Sequence, residues 1–195
     1  MVTTDNDTTE NNGQDRQIRI SKQRILLAST ILLVILGIIG VLAYSPAATT
    51  ISTPSPLLGK VAPNIAGNSI TNGSYVSLQN YRGKFVILNF FASWCTPCFD
   101  ESPALITFAY NHRKTNNVAI LGIVFSDTSS RASNFLKSVG ATWNAINDQS
   151  GSIAIKYGVS EPPETFLISP SGIVLAKFIG PVTLAGLNEA IGRYQ

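Results

Sequence analysis

Cysteine and histidine are scarce in this sequence of 195 residues. It contains two cysteines, Cys95 and Cys98, and a single histidine, His112. A structural zinc site normally takes four Cys or His ligands, so a closed zinc site within one chain is excluded. A small disulfide-stapled scaffold uses four or more cysteines, so that class is excluded as well. The two cysteines are therefore either a redox pair or two inert thiols, and we expect neither a metal nor another cofactor.

Charged residues are also few, at 13% of the chain against roughly 25% in a typical soluble domain. The shortage is local, because no charged residue or histidine occurs from Ile25 to Gly59. The net charge is only +3, and the basic residues are scattered rather than interleaved with aromatic ones. Nucleic-acid binding, which requires a basic patch or stripe, is therefore not expected.

The uncharged segment begins with an apolar run at residues 25–44. About 20 apolar residues are long enough to cross a hydrocarbon core of ~30 Å as a helix. Residues 1–24 are polar, show no hydrophobic periodicity and are predicted to be a disordered tail. They end in four basic residues, and the positive-inside rule then places the amino terminus in the cytoplasm and everything after Tyr44 outside. Those four residues are Arg16, Arg19, Lys22 and Arg24.

A cleaved signal peptide is the alternative, because Val41-Leu42-Ala43 resembles a small-residue cleavage site. The apolar run exceeds the ~7–15 residues of a typical signal, which favours a retained transmembrane anchor. Either alternative places the rest of the chain on the extracytoplasmic side of a membrane. Residues 45–59 hold three prolines with Ser, Thr and Ala, which indicates an extended linker. One globular domain is then expected at residues 60–195.

Strand and helix patterns alternate in that domain, which predicts an α/β fold. The run from Phe85 to Phe91 is nearly all apolar, as expected of a strand buried on both faces. The other strands are predicted from apolar runs and the helices from i, i+3, i+4 spacing. The predicted strands are Val118–Phe125, Trp143–Ile146, Thr165–Ile168 and Ile173–Ile179; the predicted helices are 95–111, 129–139, 152–157 and 183–194.

The cysteine pair lies just after the first buried strand, where the following helix begins. Backbone N–H groups and the helix dipole stabilise an anion at such a position, so the pKa of Cys95 should fall. Cys98 lies one turn into the helix and is positioned to attack a mixed disulfide formed at Cys95. Two inert buried thiols are the alternative, and the strand–helix context with Trp94 adjacent argues against it.

The segment from Asn89 to Glu101, which contains Trp94-Cys95-Thr96-Pro97-Cys98, resembles a known active-site signature. It is similar to that of the membrane-anchored, thioredoxin-like oxidoreductases of cytochrome c maturation, the CcmG/DsbE, ResA and TlpA kinds. The segment Gly158–Ile168 resembles the CcmG/DsbE form of the stretch that carries a cis-proline. Thr96-Pro97 is neither the Pro-Thr common in CcmG/DsbE nor the Glu-Pro typical of ResA, so the reduction potential is left open.

The resemblance implies a thioredoxin-like fold with a family-specific α/β insertion, namely the helix at 129–139 and the strand after it. It implies a Cys95–Cys98 disulfide in the oxidised state, with Cys95 as nucleophile and Cys98 as resolving thiol. Glu101 corresponds to a buried carboxylate that carries the proton of Cys98, and Pro163 to the cis-proline that faces the disulfide. A solvated Glu101 and a trans Pro163 are the alternatives. Residues predicted to contact substrate are Trp94, Pro162, Glu164 and Thr165.

The activity that the resemblance implies is a disulfide reductase that keeps the haem-attachment cysteines of apocytochrome c reduced. Its electrons would come from a membrane thiol transporter. A general extracytoplasmic reductase or an oxidant for other disulfide-bearing exported proteins is the enzymatic alternative. A thiol-based binding module without turnover is the non-enzymatic one.

Overall fold

In a computed structural model of the chain, residues 11–44 and 54–194 are described, with side chains at 24–40 and 54–194. The chain divides into two compact units, Met1–Ala48 and Thr49–Gln195. Residues 1–10 of the predicted tail and 45–53 of the predicted linker lie outside the described residues.

The described residues of the first unit form a helix, α1 (Asn11–Tyr44), of 34 residues. It begins 14 residues before the predicted helix start at Ile25, within the predicted tail. The added stretch is rich in Gln, Arg and Lys, which have favourable helix propensities and so continue a helix beyond the apolar run. The large apolar side chains between Ile25 and Ile39 are exposed in this unit. Within the described residues, no helix combines the length and apolar character needed to cross a bilayer.

The second unit is built on a five-stranded mixed sheet in the order β5-β4-β3-β6-β7. The strands β3, β4 and β5 are parallel, while β6 and β7 run antiparallel to their neighbours. The central strand, β3, has all seven residues buried, in agreement with its nearly continuous apolar sequence. These strands are β3 (Phe85–Phe91), β4 (Val118–Phe125), β5 (Asn144–Asp148), β6 (Glu164–Ile168) and β7 (Val174–Ile179).

Four α-helices, one short 3₁₀ helix (Leu78–Tyr81) and a small hairpin complete the described part of the second unit. The hairpin strands β1 and β2 precede the main sheet and pair antiparallel with each other. The helix and strand predicted as the insertion are present at nearly the expected positions. The remaining elements are β1 (Ala66–Asn68), β2 (Tyr75–Ser77), α2 (Thr96–His112), α3 (Ser129–Val139), α4 (Ser152–Tyr157) and α5 (Leu184–Gly192).

An apolar core covers each face of the sheet. Consecutive β3 residues point to opposite faces, so they contribute to the two cores in turn. Ile87 packs with buried residues of α2 and α5, such as Phe108 and Leu187. Leu88 packs on the other face with Tyr157 of α4. The face that carries Ile87 therefore holds α2 against the sheet and fixes where its first turn lies.

Candidate active site

The carboxyl end of β3 is the edge where the predicted site residues meet. β4 ends beside β3, with Phe91 in register with Val124. Because β6 is antiparallel to β3, its first residue, Glu164, pairs with Phe90 at the same edge. Glu164 also pairs with Ile179, the last residue of β7. The start of α2, the Pro162–Pro163 loop and the segment before α5 are thereby brought together.

The two cysteines form a disulfide at the first turn of α2. Cys95 is the N-cap residue, and its Sγ accepts a hydrogen bond from the Cys98 backbone N–H at 3.1 Å. This is the end of the helix where donors and dipole favour an anionic sulfur. Both residues are nearly closed to solvent in the disulfide state, at 4% and 2% exposed. Cys95 is therefore only slightly more exposed than Cys98 in this state.

Glu101 lies one turn beyond Cys98 on the same face of α2. It is 2% exposed, so it is not a solvated surface residue. One carboxylate oxygen, Oε1, accepts from Asn89 Nδ2 at 2.8 Å, and Oε2 accepts from the Val182 backbone N–H at 2.9 Å. Burial raises the pKa of Glu101 to about 7, although the hydrogen bonds from Val182 and Asn89 act to lower it. A carboxyl group that titrates near neutral pH is suited to exchange a proton with a thiol.

Asn89 was not identified as a site residue from the sequence. It is buried in the centre of β3, and its Nδ2 also donates to Thr165 Oγ1 at 3.0 Å. The signal that points to it is a lone amide in an otherwise apolar, doubly buried strand. Buried polar side chains need partners, so an amide in such a strand indicates a polar group on the element packed against it.

The peptide bond between Pro162 and Pro163 is cis, as the resemblance implies, and both residues are buried. The Pro163 carbonyl accepts from the Gly180 N–H at 3.0 Å. Across residues 54–194, no hydrogen bond is made to the Pro162 carbonyl. This acceptor, two residues before β6, has no hydrogen-bond partner among these residues.

Glu164 and Thr165 are buried and turn to opposite faces of the sheet. Thr165 faces Asn89, whereas Glu164 pairs with Lys177 Nζ at 2.6 Å and accepts from the Ser160 N–H at 3.0 Å. Lys177 also donates to the Gly158 carbonyl at 3.0 Å. The structure thus places both predicted substrate-contacting side chains in internal networks that hold the cis-proline segment.

Trp94 is about half exposed beside the disulfide, and its indole N–H donates to the Ser126 carbonyl at 3.2 Å. The Ser93 N–H donates to Asp127 Oδ2 at 2.8 Å, which ties the same loop to the segment after β4. Burial acts to raise the pKa of Asp127, but hydrogen bonds from Ser93 and the Arg131 charge hold it below its ordinary value. Ser126 and Asp127 were not identified as site residues from the sequence. The feature that points to them is their position directly after β4, the parallel neighbour of β3.

An exposed aromatic residue, Phe99, lies on the outer side of the first turn of α2, so apolar surface adjoins the disulfide on the helix as well as at Trp94. In the described part of the chain, no group of three or more His, Cys, Asp or Glu side chains is arranged to hold a metal ion. The reactive groups that the structure places together are the Cys95–Cys98 disulfide and the carboxyl group of Glu101.

Comparisons with known proteins agree with this geometry. A profile of the AhpC/TSA family matches residues 58–177. Thiol-disulfide oxidoreductase ResA of Bacillus subtilis is 33% identical over 168 residues, which cover 86% of this chain and 92% of that protein. Thiol:disulfide interchange protein CycY of Rhizobium leguminosarum is 39% identical over 111 residues, covering 56% and 58% of the two chains. The crystal structure of a putative thiol:disulfide interchange protein DsbE from Chlorobium tepidum superposes with a TM-score of 0.64 at 28% identity, covering 70% of this chain and 96% of that one.

Proposed function

The chain belongs to the AhpC/TSA family of thioredoxin-like proteins, and we propose that it reduces disulfides of apocytochrome c before haem attachment. It is a thiol–disulfide oxidoreductase with Cys95 and Cys98 as its redox pair. The observation that carries the proposal is a disulfide at a helix N-terminus, one turn from a buried carboxyl group that titrates near neutral pH.

The exchange proceeds in two steps that balance. In the reduced protein, the Cys95 thiolate attacks one sulfur of the substrate disulfide, and the other substrate sulfur leaves as a thiolate that takes up a proton. Cys98 then loses its proton and attacks the Cys95 sulfur, which closes the Cys95–Cys98 disulfide and releases the second substrate sulfur as a thiolate that takes up a proton. Two electrons pass to the substrate. Glu101 accepts the proton of Cys98, since its pKa lies near the working pH.

The proposed direction of electron transfer is inferred from the proposed location of the domain. The proposed substrate is inferred from the cis-proline segment. An extracytoplasmic reductase works among oxidising proteins and must be recharged, which a membrane thiol transporter would do. The free Pro162 carbonyl suits a substrate cysteine presented on an extended strand. The likeness of Pro163-Glu164-Thr165-Phe166 to the CcmG/DsbE kind favours apocytochrome c as that substrate.

A deletion strain tests this assignment. We expect less covalently attached c-type haem, with partial recovery when small thiols are added. Normal c-type haem together with accumulated disulfides in other exported proteins would identify a general reductase instead. A Cys95–Cys98 reduction potential near −120 mV, rather than near the thioredoxin value of about −270 mV, would indicate an oxidant. Failure of Cys98→Ser to trap any mixed disulfide would indicate a binding module without turnover.

The proposed location depends on residues 25–44 acting as a single transmembrane anchor in the cytoplasmic membrane. Residues 1–24 would then be a cytoplasmic tail, 45–59 a linker and 60–195 the extracytoplasmic domain, in which α3 and β5 form the family-specific insertion. Sealed vesicles of known orientation test the arrangement. Protease added to the cytoplasmic face should leave residues 60–195 intact, and digestion of that domain from this face would overturn the orientation.

A further inference from the structure

We propose that Asn89 is a positioning residue for proton transfer: its amide holds Glu101 in the ionised form, and Thr165 orients the amide. The inference rests on the proposed oxidoreductase function and adds a residue to its proton pathway. The described side-chain hydrogen bonds of Asn89 go to Glu101 and Thr165 and to neither cysteine sulfur, so it acts through Glu101.

The geometry of the amide supports this role. Asn89 and Thr165 are directly opposite each other in the β3–β6 ladder, so their side chains share one face of the sheet. The Nδ2 group carries two hydrogens, and both are used, one by Glu101 at 2.8 Å and one by Thr165 at 3.0 Å. A flipped amide would direct Oδ1 at the carboxylate, where two acceptors would repel. The position of Glu101 therefore fixes the orientation of the amide.

Two N–H donors stabilise the charge of Glu101: the Asn89 side-chain amide and the Val182 backbone N–H. At the start of α2, Cys95 and Cys98 are joined in a disulfide and do not titrate, while Asp100 is exposed. On α5, Glu189 is exposed and paired with Arg193. On β6 and β7, the charges belong to a pair on the opposite face of the sheet, Glu164 with Lys177. No cation faces the carboxylate from the described elements that pack on it.

Removal of the Asn89 donor should therefore favour the protonated form of Glu101. A hydrogen bond to a charged group is stronger than one between neutral groups, and its loss is large enough to move a titration midpoint by about one pH unit. The Val182 N–H alone would remain to stabilise the carboxylate. The direction of the shift is upward because burial continues to disfavour the charge.

The test uses the full-length chain in its oxidised form, in which neither cysteine titrates. Carboxyl carbon NMR follows Glu101, identified as the signal that disappears in Glu101→Gln. In Asn89→Leu we expect the midpoint, near 7 in the parent, to rise by about one pH unit. The matched control is Asn144→Leu on β5, which removes an amide donor to Tyr81 Oη and should leave the midpoint in place. An unchanged midpoint in Asn89→Leu overturns the inference.

A second variant covers the case in which Asn89→Leu does not fold. Thr165→Val keeps the side-chain shape but removes the oxygen that orients the amide, so the midpoint should rise by a smaller amount. A midpoint that stays at the parent value, or falls, overturns the role given to Thr165 and Asn89.

A second measurement separates the inference from the proposed function. In the reduced parent, the pH profile of Cys98 reactivity should include a step that Glu101→Gln removes and Asn89→Leu moves upward. A step that is present in the parent but unmoved in Asn89→Leu overturns the inference and leaves the oxidoreductase intact. Parent and Glu101→Gln profiles that coincide would overturn the proton pathway itself, and with it this inference.

Discussion

Glu101 should make the protein less stable at alkaline pH than at acidic pH, and Glu101→Gln should remove this dependence. The folded-state pKa of about 7 lies above the unfolded value of 4.5. Below about pH 4.5 the carboxyl group is protonated in both states. Between pH 4.5 and 7 the unfolded chain ionises first, so it binds fewer protons than the native state and stability falls as the pH rises.

The size of the effect follows from the shift. A rise of about 2.5 pKa units, at about 1.36 kcal/mol per unit, corresponds to about 3 kcal/mol lost by pH 8. Glu101 is 2% exposed, so solvent screening does not reduce this figure much. At pH 4.5 the variant should be the less stable protein, because both oxygens of the protonated carboxyl group can still accept hydrogen bonds from Asn89 and Val182, whereas the Gln NH2 group can only donate.

Urea unfolding of the oxidised full-length chain at pH 4.5 and pH 8 measures the difference. Fluorescence of Trp94 and Trp143, the two tryptophans of the chain, reports on the second unit alone. The difference in unfolding free energy between variant and parent should move by about 3 kcal/mol in favour of Glu101→Gln across this range. Other titrating groups are common to both proteins and cancel. Parallel stability curves would refute the assignment of a raised pKa to Glu101.

Three further predictions concern the cysteines and the two networks beside them. In the reduced protein near neutral pH, iodoacetamide should alkylate Cys95 much faster than Cys98, as measured by peptide mass spectrometry; equal slow rates would indicate inert thiols. Lys177→Met should cost about 3–5 kcal/mol in urea unfolding because it leaves Glu164 buried without its cation, and adding Glu164→Gln should restore most of the loss; additive losses would contradict the pairing. Asp127→Asn should lower the thermal midpoint at pH 7 but approach the parent as the pH falls below about 4, since a lowered pKa contributes stability that acid removes; an equal deficit at both pH values would argue against a charged Asp127.

The elements of the second unit could be predicted closely because each has a strong local pattern. The apolar run Phe85–Phe91 became β3 with the same bounds, and the helix at 129–139 became α3 with the same bounds. Strand ends were less certain where the pattern was weak. β6 begins at Glu164, one residue before its predicted start, and its charged first residue is paired within the protein rather than solvated.

The site networks depend on contacts that the local sequence does not encode. The buried Glu101 carboxylate accepts a hydrogen bond from the backbone N–H of Val182, which is 81 residues away in sequence and lies just before α5. Glu164 meets Lys177 because β6 and β7 pair in a particular register, and register is set by the turn and the packing rather than by either strand alone. The resemblance supplied the role of Glu101, but only the structure shows which groups hold it.

The near-complete burial of the Cys95–Cys98 disulfide has a consequence for selectivity. In this oxidised state little sulfur surface is open, so a thiol that attacks the disulfide must be carried on an exposed segment of its own protein. A thiol packed in the interior of a folded domain cannot make that attack, whatever its redox potential. The oxidised pair therefore discriminates among reductants by how accessible their thiols are, as well as by their redox potential.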